Sequence, residues 1–226
     1  MTTASRPPRR SGGKSRRTTR SSRGPAKSSS PSCGSEAALP PLPGPEERSL
    51  RATGARRPAE GAPPTAELVR KLRELGRDSE ALVALFDAAA VAGERHLLSA
   101  WAHLGRSRGR GESRLRERGA EFALYVAGED QLPRALARVG VSDATRQFVV
   151  VAERPLDPAE LLVRFGLTPD PTAYPRPVDA AMLERLGVTE VERATVPPSA
   201  WEGLVLERVA LVDLTTPSGH GTTAKH

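Results

Sequence analysis

Two histidines, His96 and His103, stand seven residues apart in a stretch of helical periodicity, a spacing that puts both on one helix face. A metal site would need a third ligand at fixed spacing, and none is evident, so packed or surface imidazoles are the plainer reading. Just beyond them runs Gly105-Arg-Ser-Arg-Gly-Arg-Gly-Glu112, glycine-rich as phosphate loops are. It lacks the Gly-Lys-Ser/Thr ending and does not follow a strand, which argues against nucleotide hydrolysis. Charge is its more informative property. Arg106, Arg108, Arg110, Arg114, Arg116 and Arg118 place six guanidiniums within thirteen residues, a patch suited to a phosphate backbone. Arg114 and Arg118 have the spacing of one helix face, and guanidinium binds phosphate in bidentate fashion and stacks on bases. The competing reading is a solvated loop paired with Glu112, Glu117 and Glu121. No nucleophile with a base, no carboxylate pair and no metal box stands out, so the chain reads as a non-enzyme with no cofactor.

The elements that would position these groups follow from apolar spacing. Leu68, Val69, Leu72 and Leu75 mark a helix opening at Thr65 or Glu67 and ending at Gly76. Ala81–Phe86 reads as a buried strand, 92–106 as a second helix, 105–111 as a flexible basic loop and 112–127 as a third helix. That helix becomes apolar nearly all round before Gly128. A short helix follows over 131–139. Gln147–Ala152, rich in β-branched residues, is the most strand-like segment and is expected at the centre of the sheet. Asp157 and Pro158 open a helix that Gly166 closes, the proline-rich stretch 168–177 is a connection, and 179–186 and 199–214 are the last helices. Few strands among many helices predict an α+β domain, with a small mixed or antiparallel sheet packed with several helices.

The first 64 residues differ in kind. They carry thirteen Lys or Arg against four Glu, whereas residues 65–226 carry twenty-one against twenty-three, so the net charge of +7 belongs to the tail. With Ser, Pro, Gly and Arg dominant, residues 1–64 offer too little apolar surface to offset chain entropy and are expected to be disordered. Three readings are open for this tail: a phosphate-neutralising arm running from Arg6 to Lys27, a solubilising tail, or GC-rich upstream DNA translated in frame. Residues 215–226 form a second polar tail, holding His220 and His226. Cys33 is the only cysteine, which excludes an internal disulfide and a thiolate metal cluster. No apolar run of membrane length and no secretion signal is seen, so the expected location is the cytoplasm, away from any membrane.

The last helix has two apolar sides. Trp201, Leu204, Val205, Leu211 and Val212 line one, expected to pack inward; Leu206, Val209, Ala210 and Leu214 line another, free to meet a partner. A fully buried helix, or a terminal strand at Val209–Leu214, is the other reading.

Several short motifs together resemble the small kinase-binding subunit of the KEOPS complex, which places threonylcarbamoyl on adenosine in tRNA. They are Phe86-Asp87-Ala88, Gly93-Glu94-Arg95-His96-Leu97, the run from Glu121 through Tyr125, Gly128 and Gln131 to Leu132, then Ala135, Gly140-Val141, and the closing Leu206-Glu207-Arg208-Val209-Ala210-Leu211-Val212-Asp213. The likeness spans roughly residues 81–214. One departure is plain: where the family has Arg before Gln, this chain has Asp130 preceded by Glu129, which sets repulsion where a phosphate contact would lie. The resemblance implies a non-catalytic subunit that binds and stimulates a small atypical kinase and holds the single-stranded 3′ end of tRNA, while a separate catalytic subunit transfers threonylcarbamoyl. By motif match it points to His96 and Gln131 as RNA contacts. Charge and stacking add Arg95, Arg114, Arg118 and Tyr125. Kinase docking falls on Leu206, Val209, Ala210 and Asp213. The alternative is a stand-alone, nonspecific nucleic-acid-binding protein acting mainly through its basic tail.

Overall fold

A run of five consecutive buried residues, Phe148 to Ala152, can be accommodated only by a strand covered on both faces. That strand organises the domain. In a computed structural model, which describes residues 50–79 and 81–215, β3 (Gln147–Glu153) lies between β1 (Leu50–Arg56) and β2 (Val83–Asp87). A two-residue strand, β4 (Thr168–Pro169), completes an antiparallel sheet of order β2-β3-β1-β4. All described residues belong to one unit of the chain.

Side-chain alternation assigns the two faces. Phe148, Val150 and Ala152, with Ala55, Val83 and Leu85, pack against Leu68 and Leu75 of α1 (Thr65–Ser79) and Leu161, Leu162 and Phe165 of α5 (Pro158–Phe165). Val149, Val151, Ala84 and Phe86 face a larger helical layer. That layer comprises α2 (Glu94–Gly109), α3 (Arg118–Ala127), α4 (Leu132–Val139), α6 (Ala180–Arg185) and α8 (Trp201–Leu211), with the short α7 (Glu190–Ala194) beside α8. The α+β class and the antiparallel sheet agree with expectation, and β3 is the inner strand predicted. Asp157 caps α5 by accepting the Ala159 N–H at 2.9 Å.

The ordered part begins earlier than residue 65. β1 pairs with β3 over all seven of its residues, although Leu-Arg-Ala-Thr-Gly-Ala-Arg carries a single β-branched side chain. Pairing with a strongly β-forming neighbour, not local propensity, makes it a strand. Just after β1, Arg57 holds three segments together. It donates to the Thr145 and Ser142 carbonyls of the α4–β3 loop, to the Pro63 carbonyl and to the Thr65 hydroxyl at the start of α1, and it stacks on Phe148. Part of the basic tail is therefore structural. The phosphate-arm reading of Arg6 to Lys27, Cys33, and the C-terminal histidines lie outside the described residues.

Three further boundaries differ from expectation: the first is that α1 does not end at Gly76 but runs through it to Ser79. The helix expected to end near residue 106 runs on to Gly109, so 105–109 is helical. Residues 112–117 form a loop, and the next helix starts only at Arg118. Gly111, at φ 72°, is the break between them.

Residues 170–174 cross β1 at Gly54, where a Cβ would lie 2.3 Å from the Asp170 carbonyl oxygen and 2.8 Å from the Tyr174 nitrogen. Gly54→Ala is therefore expected to cost about 1–3 kcal/mol by forcing these backbones apart. Urea unfolding checks this, and an unchanged midpoint would mean that the crossing is not held so closely.

Candidate functional site

The residues that carry the motifs are, for the most part, internal. His96 is fully buried. Its Nδ1 accepts the Ala92 N–H at 3.1 Å, so the proton must sit on Nε2, which donates to the Val126 carbonyl at 2.9 Å. The ring thus bridges the entry of α2 to α3 and cannot touch RNA. Burial disfavours the imidazolium and lowers the pKa from 6.5 to about 4, the Val126 carbonyl opposing only in part. Asp87 accepts the Ala89 N–H that opens a short 3-10 turn and pairs with Arg185 at 3.0 Å. Gly128, at φ 63°, ends α3 in the left-handed conformation.

Glu121 organises the basic loop from beneath. Although its side chain is wholly buried, its Oε2 lies 3.0 Å from Arg108 Nε and accepts the Ser113 hydroxyl, while Oε1 accepts the Arg114 backbone N–H. Arg108 also donates to the Leu115 and Arg116 carbonyls. A buried carboxylate is tolerated when it is paired and hydrogen-bonded in this way. Arg110 pairs with Glu112. The six-arginine cluster is thus only partly free: Arg106 and Arg116 are exposed with no ion pair among the described residues.

Asp213 is a second polar hub. It accepts from the Tyr125 hydroxyl at 2.9 Å and meets His103 Nδ1 at 2.7 Å. These hydrogen bonds hold its carboxyl below the ordinary value against the opposing effect of burial. Arg114 grips the same C-terminal segment, donating to the Val212 carbonyl and to Thr215. Arg114 is therefore not on a helix face with Arg118, and its guanidinium is engaged.

The six residues expected to contact RNA do not converge on one surface. His96 and Tyr125 are buried, Arg114 clips the C terminus, and Arg95 lies 4.0 Å from Glu202. Arg118 pairs with Glu153 at 2.8 Å and sits 5.4 Å above the Trp101 ring. Gln131 alone is fully open, at the N-terminus of α4 with no capping bond from its side chain. The acidic pair preceding it is half neutralised, because Arg138 takes Glu129 at 2.6 Å.

On α8 the two stripes are sorted differently from expectation. Val205, Val209 and Val212 follow the four- and three-residue steps that face α2 and α3, so Val209 is core and no docking residue. Asp213 is committed to His103 and Tyr125. The outward residues are Ala210, Leu211 and Leu214, the last 78% exposed, with Leu206 half-buried beside them. Leu211, expected to face inward, is 46% exposed.

A cleft of about 830 Å³ opens between α1, the edge of β2, the start of α3, and α4. Its floor is aliphatic and its rim basic. Arg118 lines it, as does Leu132, directly after Gln131. The exposed Arg116 lines it too; two more exposed cations on its rim, Arg73 and Arg77, were not singled out from the sequence, although their four-residue spacing opposite Leu68 and Leu75 marks a basic stripe. Among the described residues no helix is long and apolar enough to cross a membrane, and no group of three or more His, Asp and Glu side chains is placed to hold a metal ion. Neither a family model nor a curated protein matches the chain.

The His96 burial has a measurable consequence. Between pH 6.5 and about 4 the unfolded chain takes up a proton that the folded protein refuses, so the neutral-ring contribution is full above pH 6.5 and is lost as pH falls toward 4. The loss should reach about 3 kcal/mol at most. Chemical denaturation across that window should show a steeper fall for the native protein than for His96→Gln. Equal pH slopes in the two proteins would exclude a buried neutral His96.

Proposed function

We propose that this protein is a non-catalytic, cytosolic subunit of a KEOPS-like assembly for tRNA threonylcarbamoyladenosine modification, binding and stimulating a small atypical kinase and holding the tRNA 3′ end. The observation that carries this reading is the apolar end of α8. Ala210, Leu211 and Leu214, with Leu206, form an outward patch on a helix whose inward face is already filled by Val205, Val209 and Val212. An apolar patch left on the surface after the core is satisfied is what an interface needs. The patch lies in the closing segment that resembles the family's C-terminal helix, and Asp213 and Arg114 fix that segment onto α2 and α3.

The supporting residues for RNA differ from those the motifs pointed to. With His96 and Tyr125 inside, the groups able to reach phosphate or unpaired bases are Arg106, Arg116, Arg134 and Gln131, all exposed. Guanidinium and amide groups are the kinds of donor that suit a short single-stranded end. The motif residues then act as scaffold, since Asp87, His96, Glu121 and Tyr125 each satisfy an internal partner.

Titration of the protein against the small atypical kinase encoded by the same genome tests the reading. Leu211→Glu with Leu214→Glu should weaken binding by about 2 kcal/mol or more, as loss of apolar anchors does, while leaving the melting temperature unchanged. Intact tRNA should also bind better than tRNA lacking its terminal single-stranded nucleotides. A kinase that binds native and doubly substituted protein alike, or does not bind at all, defeats the proposal.

A further inference from the structure

The cleft beside β2 combines two features, and of its lining residues the adaptor reading draws only on Arg116. The first is an unpaired strand edge. β2 is the outer strand of the sheet, and the Glu153 N–H donates to the Leu82 carbonyl, so with the observed register Leu82, Ala84 and Phe86 bond to β3. The N–H and C=O groups of Val83 and Leu85 therefore point away from the sheet. The first turn of α3 closes one end of this edge, where Gly119 lies so near the Val83 carbonyl that a Cβ would come within 2.6 Å. Leu85, 7% exposed, lines the cleft, as do the small side chains of Ala120 and Ala123.

The second feature is charge over an aliphatic floor. Val69, Leu72, Leu136 and Val141 line the cleft, and Leu136 is 49% exposed. Around them stand Arg73, Arg77 and Arg116, all exposed, with Arg108 and Arg118 already paired; Glu117 is the one acid lining the cleft among the described residues. The one aromatic lining it among the described residues, Phe86, is 2% exposed and packed on Phe122, so the site offers no exposed aromatic ring on which a base could stack.

We infer that this cleft binds an extended peptide segment of a partner protein in which acidic residues alternate with aliphatic ones. Main-chain hydrogen bonds to Leu85 set its register. Aliphatic side chains enter between Leu72 and Leu136, and carboxylates meet Arg73, Arg77 and Arg116. Strand addition supplies affinity through the backbone and specificity through alternate side chains, and the exposed guanidiniums select against basic sequences. This inference does not depend on the KEOPS-like reading.

The experiment uses the full chain and a fluorescent peptide, acetyl-Glu-Val-Asp-Leu-Glu-Val-Asp-amide. Controls are the same peptide with lysine at every acidic position, the same peptide with N-methylated backbone at Leu, and a single-stranded heptanucleotide. The acidic peptide is expected to bind and to shift the Leu85 amide resonance, and the lysine and N-methyl peptides to bind at least about tenfold more weakly. Arg73→Glu with Arg77→Glu should cost about tenfold or more, mostly through the association rate. Both arginines are exposed, so folding should be unaffected, and the melting temperature verifies it. Absence of acidic-peptide binding, equal binding of the lysine peptide, or tighter binding of the oligonucleotide at the same residues would each overturn the inference.

Discussion

Pairing along both sides of β3 is the constraint from which the rest of the domain follows. Seven residues of β1 are in register with one side and five of β2 with the other, and the apolar side chains of β3 point to both faces. Each face must then be covered. α1 and α5 suffice on one side, while the other takes the thicker layer of α2, α3, α4, α6 and α8. The outer strands of this small sheet are β2 and β4, and α3 packs along β2, with Gly119 against the Val83 carbonyl and Phe122 on Phe86.

Polar groups inside this scaffold are few and each has a structural task. His96 joins the start of α2 to α3, Glu121 anchors the loop between those helices, and Asp213 fastens the chain after α8. All three sit in segments whose motifs underlie the proposed KEOPS-like reading. The same residues that make such a likeness visible are therefore those that hold the helices in place, since a buried polar group tolerates few replacements. The surfaces proposed for partners lie elsewhere: the exposed leucines beyond Val209, the open Gln131, and the basic-rimmed cleft.

Charge follows the same division. Of the six arginines between 106 and 118, Arg108, Arg110, Arg114 and Arg118 are spent on internal or neighbouring partners. Linear clustering overstated the free positive charge there. On α1, by contrast, Arg73 and Arg77 point outward without compensation on their own face, and they give the cleft its sign.

The α+β class, the inner position of β3, the helices that open near 65, 92, 131 and 158, and helix ends such as Asp157 and Gly128 were legible in the sequence, though not where the first two helices stop. Each rests on local physics: apolar spacing, β-branched content or the geometry of a helix end. β1 was not legible, because Leu50–Arg56 becomes a strand only through pairing with residues about a hundred positions away. The assignment of Val209 to the core and Leu211 to the surface also needed the fold, since two apolar stripes on one helix are distinguished only by what packs against them. So did the fate of His96, Tyr125 and Arg114. Spacing placed them near one another along the chain, but only tertiary packing decided that carbonyls and a carboxylate, not a ligand, would occupy their hydrogen bonds.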